Sequence, residues 1–299
     1  MINGARRVIH EQFYSKGWLS QAMNNAFYHY CSLDAFLAII RSKEIWLTNI
    51  FCMSDSAEHY WLRKVAQDVL RRRDSSSAIS EFVASALFPK EDETDLYCFC
   101  MSAVGDSLGQ WRGYADDGRG VAIGFSIQYL TAAADEYCGS GLLLEGVVYD
   151  PGVQQGKVQG IIEHVERAAE DDFVRATLLS GKLPKEFSGL CAKSQIWLEA
   201  ARCKNAFFEE EKEVRLIYDA SLDHKRSLGE PRYRVRKGTL VPFYALSLSR
   251  PNEYPPIDEV VLGPKSDREF NEPVVRRILS DNGYDVEHLE VWSSEGTYR

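Results

Sequence analysis

The chain has 299 residues, of which 45% are hydrophobic and 26% are charged, and its formal net charge at pH 7 is -9. This is the composition of a folded protein with a substantial core, so a globally disordered chain is excluded. The acidic balance disfavours a protein whose whole surface binds a polyanion, and leaves Arg71–Arg73 and Lys225–Lys237 as the local basic stretches. No run of 18 apolar residues occurs, so we expect no membrane-spanning segment and no membrane partner.

The seven cysteines are odd in number, and the first residues, from Met1 to Arg7, lead into no apolar segment of a secretory signal. We therefore expect free thiols and a cytoplasmic location. Cys98 and Cys100 are two residues apart, which on a strand puts both sulfurs on one face. Because no second cysteine pair or histidine pair follows at ligand spacing, the sequence predicts no metal site.

The first informative stretch predicts a strand, a helix and a second strand. Phe27–Cys31 is a short strand rich in aromatic residues, and Ser32 is a good N-cap for a helix that ends near Ser42. Ile45–Thr48 then resumes as a strand. His29 is thereby expected near the end of the first strand.

Two helices and a central strand are predicted next. Ser54 or Asp55 caps a helix with Glu58 in its first turn, and a second helix runs from about Ala78 to Leu87. Leu96–Ser102 is too apolar to face water on both sides, which favours a central strand.

A short helix over Asp106–Ala115 is expected to precede a glycine-rich turn and the strand Val121–Phe125. Trp111 and Tyr114 lie three residues apart on this helix, so they either line a binding cleft or pack against the sheet. The glycine turn matches neither a dinucleotide fingerprint nor a phosphate-binding loop.

The rest of the chain predicts further strands and helices. The strands are Leu142–Tyr149, Leu240–Leu248, Glu259–Leu262 and Val286–Trp292, and the helices cover 153–180, Glu186–Lys204 and Phe270–Asn282. We expect an α+β fold with a mixed, mostly antiparallel sheet. It forms a single domain over 27–299 after an N-terminal extension over 1–26, with helical insertions at about 55–88 and 153–204.

The most charged stretch is Lys204–Tyr218. Within it, Glu211, Glu213 and Arg215 alternate with mostly apolar residues, a two-residue period that predicts a strand with one charged face. That face belongs either to a solvent-exposed edge strand or to a functional site.

The chain carries a series of short motifs. In order they are Tyr28-His29-Tyr30-x-Ser32-Leu33, Ile45-Trp46-Leu47-Thr48-Asn49, Ser54-Asp55-x-x-Glu58, Cys98-Phe99-Cys100, Trp111-x-x-Tyr114-Ala115, Gly120–Phe125, Lys204–Arg215, Val260–Pro264 and Tyr298-Arg299. In this series the chain resembles, over nearly its whole length, a family of bacterial proteins catalogued as a domain of unknown function. It departs from that family at Ser54, where Asn is usual, and at Cys100, where Ser is usual. The resemblance supplies no activity.

A second resemblance implies an activity. Tyr28-His29-Tyr30-x-Ser32, followed by a helix and an apolar strand, is similar to the opening of ADP-ribosyltransferase folds, particularly the DarT-like nucleic-acid-modifying toxins and the RNA 2'-phosphotransferases. This resemblance implies a split sheet with NAD as substrate. It implies that His29 orients the NAD ribose and that Glu213 is the late-strand glutamate, with Glu211 as the first acid of a Glu-x-Glu pair.

The same resemblance implies further contacts with NAD. One aromatic ring is expected to stack on the nicotinamide, and the candidates are Trp111, Tyr114 and Tyr97. Arg215, or Arg112, is expected to pair with the pyrophosphate. The full set of expected cofactor-binding residues is Tyr30, Ser32, Trp111, Tyr114 and Arg215.

The expected chemistry explains why carboxylates matter here. Cleavage of the nicotinamide glycosidic bond passes through an oxocarbenium-like state, which a carboxylate beside the ribose stabilises. Glu211 and Glu213 are expected to repel each other, which raises the pKa of one and creates a general base for the incoming nucleophile.

Three classes of function remain open. The first is an NAD-dependent ADP-ribosyltransferase or NAD glycohydrolase, a toxin or anti-phage defence effector with a protein or nucleic-acid acceptor. The second is a metal-dependent hydrolase or nuclease that uses Asp55, Glu58, Glu211 and Glu213. The third is a non-catalytic interaction module, and the oligomeric state is open in each class.

Each candidate residue can have a structural role instead of a functional one. His29 can be a satisfied structural histidine, Glu213 can form an ion pair with Arg215 or Lys204, and Asp55 with Glu58 can simply cap a helix. The basic segment from Lys225 to Lys237 can be a solvated loop or a nucleic-acid contact.

Overall fold

Residues 25–53, 58–72, 95–168, 197–249 and 254–298 are described by the computed structural model of the chain. The strands are β1 (Ala26–Cys31), β2 (Glu44–Asn49), β3 (Leu96–Ser102), β4 (Val121–Ser126), β5 (Leu142–Gly146), β6 (Glu213–Asp219), β7 (Arg232–Arg236), β8 (Thr239–Ser247), β9 (Ile257–Leu262) and β10 (Glu290–Ser293). The α-helices are α1 (Leu33–Ser42), α2 (Glu58–Arg72), α3 (Leu108–Tyr114), α4 (Ile127–Tyr137), α5 (Pro151–Ala168) and α6 (Arg268–Asp281), and residues 197–202 are also helical.

Strand pairing is mixed and mostly antiparallel. β10 runs parallel to β9, whereas β1, β4, β2, β8, β5 and β7 meet their neighbours in antiparallel registers. Together with the helices this confirms the predicted α+β class, while the ADP-ribosyltransferase-like split of the sheet stays a prediction. Among the described residues, no helix is long and apolar enough to cross a membrane.

The chain forms two units, each assembled from separated segments. The first contains Met1–Ser42, Met101–Leu130 and Pro251–Arg299, and the second contains Lys43–Cys100 and Thr131–Arg250. The division of the chain into an extension and one domain over 27–299 stays a prediction.

In the first unit, the strands follow the order β10-β9-β4-β1. β1 pairs with β4 along its whole length, with His29 opposite Ile123, and it also meets the end of β3, where Tyr28 is opposite Ser102. A buried cluster that contains Trp111 covers one face of these strands. Its members are Ala26, Tyr28, Tyr30, Trp111, Ala115, Ala122 and Val261.

In the second unit, the strands β3-β2-β8-β7 follow one another, β6 pairs with β3, and β5 pairs with β6. The helices α2 and α5 pack together, and the Trp61 indole Nε1 donates to Gln154 Oε1 at 2.8 Å. The core beneath them combines these helices with residues 197–203 and the strands. It contains Ile50, Leu62, Val65, Ala66, Leu96, Cys98, Val158, Ile161, Ile162, Trp197, Ala200, Ala201, Cys203 and Ile217.

Several predicted boundaries differ from the structure. The strand expected over Leu142–Tyr149 ends at Gly146, and the chain beyond it makes only an isolated bridge at Val148. The elements α4 and β7 were not expected. Within α4, the buried residues Tyr129 and Leu130 lie one turn before Ala133, a helical spacing that the sequence does carry.

Some expectations concern parts of the chain outside the described residues. These are the extension before residue 25, Asp55, the helix expected at Ala78–Leu87, and the parts of the helices expected over 169–196. For Glu58, which begins α2, the backbone is described but the side chain is not.

Candidate functional site at the start of strand β6

Glu213 is the first residue of β6, and its side chain is buried in a set of charge-assisted hydrogen bonds. Arg215 donates from Nε to Oε1 and from Nη2 to Oε2, both at 2.8 Å. The Lys204 ammonium donates to Oε2 at 3.2 Å. The backbone N–H of Glu213 donates to the Tyr149 hydroxyl at 3.0 Å. Both carboxylate oxygens are therefore held in a fixed orientation.

Lys204 joins the two predicted catalytic carboxylates. Its ammonium lies 2.5 Å from Glu211 Oε2 as well as 3.2 Å from Glu213 Oε2, and it sits 4.8 Å from the centre of the Phe208 ring. Lys204 is only 3% exposed. The structure thus brings Glu211 and Glu213 to one buried cation.

The local backbone explains how two glutamates on different elements meet. Residues Ala206–Glu211 form a 3₁₀ helix that begins at Asn205, whose side chain accepts a hydrogen bond from the Phe207 backbone. Lys212 then adopts a left-handed conformation with φ of 43°, which ends the helix and redirects the chain into β6. The expectation that Glu211 lies on the strand is therefore wrong, because the strand begins two residues later.

The pKa of Glu213 follows from this environment. Burial raises it, but the charge and hydrogen bonds of Arg215, with further contributions from Lys204 and the Cys100 thiol, lower it more, to about 2. Glu213 is therefore not the glutamate with the expected raised pKa, because the charge and hydrogen bonds of Arg215 outweigh its burial. Burial, followed by the charge of Glu213, raises the pKa of the Cys100 thiol, which stays protonated.

A second buried group of charges adjoins this one. Arg202 donates to Glu145 at 2.8 Å and to Glu199 at 2.9 Å, and Lys157 lies 2.9 Å from Glu199. Glu145 on β5 pairs directly with Arg215 on β6, so the two groups share one face of this strand pair. Together they contain four acids and four bases: Glu145, Glu199, Glu211, Glu213, Lys157, Arg202, Lys204 and Arg215. The network is electrically balanced, which is the condition for burying so many charges.

The residues of β1 that were predicted to contact NAD lie in the first unit. His29 is half-buried, and strand alternation places its side chain on the face opposite Tyr28 and Tyr30. Ser32 caps α1, since its Oγ accepts from the Ala35 N–H at 3.3 Å.

Tyr30 and Trp111 are brought together, in an edge-to-face contact with 4.7 Å between ring centroids. The Tyr30 hydroxyl donates to the Val104 carbonyl at 2.8 Å and accepts from the Ser107 N–H at 3.1 Å. Trp111 is 1% exposed, and its Nε1 donates to Asp106 at 2.6 Å. These two rings are core residues whose polar groups are already engaged.

Tyr114 differs, because it is 44% exposed on α3. Arg112, on the same helix, lies over the Tyr298 ring with 5.9 Å to its centroid. Of the three rings considered for stacking, Tyr97 is 5% exposed and packs edge-to-face against Tyr244. Tyr114 is therefore the one of the three that a ligand can reach without rearrangement.

Arg215, expected at a pyrophosphate, is 2% exposed. Besides its bonds to Glu213, its Nη1 donates to the Ala201 carbonyl at 2.7 Å. The three donor nitrogens thus fix Glu213 to the helical segment 197–202. Its role in binding a cofactor stays a prediction.

The metal-dependent alternative requires converging carboxylates. Within the described ranges, no group of three or more His, Cys, Asp or Glu residues is placed to hold a metal ion. The cation between Glu211 and Glu213 is the Lys204 ammonium.

Several members of the site escaped sequence reasoning. Tyr149 lies in the connection between β5 and α5, Cys100 lies on β3, and the Glu145–Arg202 pair joins residues 57 positions apart. One sequence signal could have indicated part of this group. Glu199 and Arg202 are three residues apart near the end of the predicted helix, so they share a helix face.

The match to a known family covers much of this site. The model of a family described as "Protein of unknown function (DUF2971)" matches residues 110–216, a range that contains Trp111, Lys204, Glu213 and Arg215. The predicted resemblance to a family of unknown function is thereby confirmed for these residues. No curated protein and no solved structure matches the chain.

Proposed function

We propose that the chain is an NAD-dependent ADP-ribosyltransferase or NAD glycohydrolase in which Glu213 stabilises the oxocarbenium-like transition state. The observation that supports this proposal is the state of Glu213, a buried carboxylate at the start of a late strand. Its pKa of about 2 keeps it ionised at neutral pH. A negative charge that is already oriented before the reaction stabilises a developing cation without reorganisation.

In the proposed reaction the bond between nicotinamide and ribose C1' breaks, and its electron pair leaves with neutral nicotinamide. Water, or a nucleophile on an acceptor, then bonds to C1' and gives its proton to Glu211, the second carboxylate at Lys204. Glu213 stays ionised throughout, as its low pKa requires. The two glutamates therefore have separate roles.

Lys204 joins Glu213 to Glu211 in the proposed site. Its bond to Glu213 is 3.2 Å long, against 2.5 Å to Glu211. In the proposed reaction the ribose approaches Glu213 from the side of this longer bond, while the two bonds from Arg215 keep the carboxylate in place.

The residues expected to contact NAD in the first unit are His29, Tyr30, Ser32, Trp111 and Tyr114. The order of β1, α1 and β2 is the order that the resemblance implies. Of the three rings considered, Tyr114 is the exposed one. Nicotinamide stacking by Tyr114 and ribose contact by His29 stay predictions of the resemblance, each with its own test, loss of NAD affinity in Tyr114→Ala and in His29→Ala.

A toxin or phage-defence role with a protein or nucleic-acid acceptor accompanies this proposal, as does a cytoplasmic location. In the described part of the chain, six cysteines are thiols, which fits a reducing compartment. The metal-dependent alternative is not favoured at Glu211 and Glu213, because the Lys204 ammonium already bridges these two of its four carboxylates.

The decisive experiment follows release of nicotinamide from labelled NAD, with and without protein and nucleic-acid acceptors. We expect the wild type to release nicotinamide and Glu213→Gln to lose roughly a hundredfold or more in turnover. Glu145→Gln is the matched control. Glu145 is 5% exposed against 8% for Glu213, pairs with Arg202, and lies directly opposite Arg215.

Both substitutions remove a buried, paired carboxylate, so both are expected to destabilise the protein. Only Glu213→Gln is expected to lose turnover at a temperature where circular dichroism shows each variant folded. Equal losses in the two variants would assign Glu213 a structural role. Absence of nicotinamide release by the wild type would overturn the proposed function itself.

A further inference from the structure

Strands β7 and β8 form a two-stranded ribbon. Lys237 and Gly238 connect them with positive φ values of 48° and 80°, the conformation of a two-residue type I′ hairpin turn. β7 is the terminal strand in its order, with β8 as its neighbour. Its second edge therefore presents backbone groups that no described strand pairs with.

Basic side chains concentrate on this ribbon. Residues 225–237 contain six Lys or Arg and one acid, in a chain whose net charge is -9. Arg232, Arg234 and Arg236 are spaced two apart on β7, so they share one face. The local charge is thus opposite to that of the protein as a whole.

Aromatic rings hold these arginines in place. Trp46 and Phe243 stack with 4.4 Å between centroids. The Arg234 guanidinium lies 5.2 Å from the Trp46 ring centroid, and that of Arg232 lies 5.2 Å from Phe243. Such contacts orient the guanidinium plane and reduce the entropy lost when it binds an anion.

The positive charge at Arg234 is incompletely compensated. Its Nη2 donates to the Thr48 hydroxyl at 3.0 Å, but its Nε has no hydrogen-bond partner among the described residues. Burial lowers the pKa of Arg234, and the charge of Arg236 lowers it further. Glu44 pairs with Arg232, and the Nε of Arg234 offers a donor to an added anion.

The opposite face of the ribbon is apolar and exposed. Tyr233 is 66% exposed, Val235 is 72% exposed, and Leu240, the β8 partner of Val235, is 69% exposed. Tyr233 lies between Arg232 and Arg234 in sequence and points to the other face of β7. A single strand that follows the open edge of β7 would therefore meet the guanidinium groups on one side of the edge and the exposed ring on the other. With such an arrangement single-stranded nucleic acids are bound by paired phosphates and stacked bases.

We propose that the β7–β8 ribbon binds single-stranded nucleic acid, with Arg232, Arg234 and Arg236 at successive phosphates and Tyr233 stacked on a base. Alternate residues of a strand are about 6.8 Å apart, close to the separation of phosphates in an extended single strand. An acidic peptide that pairs with the edge of β7 satisfies the charge but leaves Tyr233 without a role. The proposal stands on this surface alone and does not depend on the proposed function.

The test measures fluorescence polarisation of short labelled DNA and RNA single strands of mixed sequence over a series of salt concentrations. We expect wild-type affinity to fall as salt rises, because phosphate contacts release counterions. Replacing Arg232, Arg234 and Arg236 together by Ala is expected to weaken binding at least tenfold and to flatten the salt dependence. Tyr233→Ala is expected to weaken binding roughly tenfold with an unchanged salt slope.

The controls separate a specific surface from general charge and from misfolding. The double variant Arg268→Ala with Arg277→Ala removes two exposed arginines of α6 and is expected to bind as the wild type does. Because Tyr233 is largely exposed, its substitution tests the ribbon even if the triple variant fails to fold. Wild-type affinity in Tyr233→Ala, no binding at low salt, equal affinity for duplex, or tighter binding of poly-glutamate each overturns the proposal.

Discussion

Arg215 binds the Glu213 carboxylate through two hydrogen bonds of 2.8 Å, from Nε to Oε1 and from Nη2 to Oε2. Both residues lie on β6, and both are almost fully buried. A buried pair of this geometry is costly to break from one side, because the remaining charge is left without its partner.

We therefore expect Arg215→Met to destabilise the protein by about 3–5 kcal/mol, measured as the free energy of unfolding in urea. The double variant Glu213→Gln with Arg215→Met is expected to cost less than the sum of the two single changes, since no charge is stranded. Strict additivity of the three measurements would show that the pair is not coupled.

The pH dependence of stability follows from Glu213. Its pKa is about 2 in the folded protein against 4.5 for an ordinary glutamate. A lowered pKa contributes stability that is present above the unfolded value and is lost as the pH falls through the folded one. The wild type is therefore expected to lose this contribution between pH 4.5 and pH 2.

The measurement compares wild type with Glu213→Gln, because other carboxylates titrate in the same range in both proteins. The difference between their free energies of unfolding is expected to shrink as the pH falls below 4.5. A difference that stays constant down to pH 2 would contradict the ion-pair account of Glu213.

The local residue pattern was sufficient to predict some contacts of this site and insufficient to predict the others. The alternation of Glu213, Val214 and Arg215 predicted that the two charged side chains share a face, and they do. Arg215 and Lys204 were the two alternative ion-pair partners expected for Glu213. In the structure both of them bind Glu213. The ion pair between Arg202 and Glu145 could not be predicted. The two residues are 57 positions apart, and a contact at that separation produces no periodic pattern in the sequence.

The same reasoning explains which elements were missed. β1, α1 and β2 carry apolar periods and a serine cap, so their order was predictable. β7 alternates arginine with Tyr233 and Val235, both exposed, and so lacks the buried face that normally identifies a strand. Its pairing with β8 comes from the hairpin turn, whose Lys237-Gly238 sequence is a weaker signal than Asn-Gly.

Asp106 is expected to be a stability determinant of the first unit. Its carboxylate accepts from Trp111 Nε1 and from Ser294 Oγ, both at 2.6 Å, and from the Glu295 N–H at 3.0 Å. Asp106→Ala leaves a buried indole N–H unpaired, which costs about 1–3 kcal/mol, and removes the two hydrogen bonds that tie the start of the segment 294–298 to Asp106. Thermal unfolding and amide hydrogen exchange at Glu295 measure the two effects.

Asp281→Ala is the control for that change. Asp281 is 67% exposed, and its oxygen lies 3.7 Å from Arg277, so its removal is expected to be nearly neutral. Unchanged exchange at Glu295 in Asp106→Ala would show that other contacts hold the segment.

Gly120, in the motif that leads into β4, is expected to tolerate no side chain. A Cβ placed there would lie 2.1 Å from the Cys31 carbonyl oxygen and 3.0 Å from that of Ala115. Both are backbone atoms of packed elements, which cannot move aside as a flexible side chain can. Gly120→Ala is therefore expected to destabilise the protein by about 2 kcal/mol or more, seen as a lower Tm.

Gly113, within α3, provides the opposite case in the same unit. Among the described residues, a Cβ there has no neighbour within 4 Å, so Gly113→Ala is expected to add no clash and to stabilise the helix by about 1 kcal/mol. The two substitutions make the same chemical change, and only the space around each glycine differs. A similar Tm shift in both variants would refute the close approach of β4 to β1 as the reason for glycine at position 120.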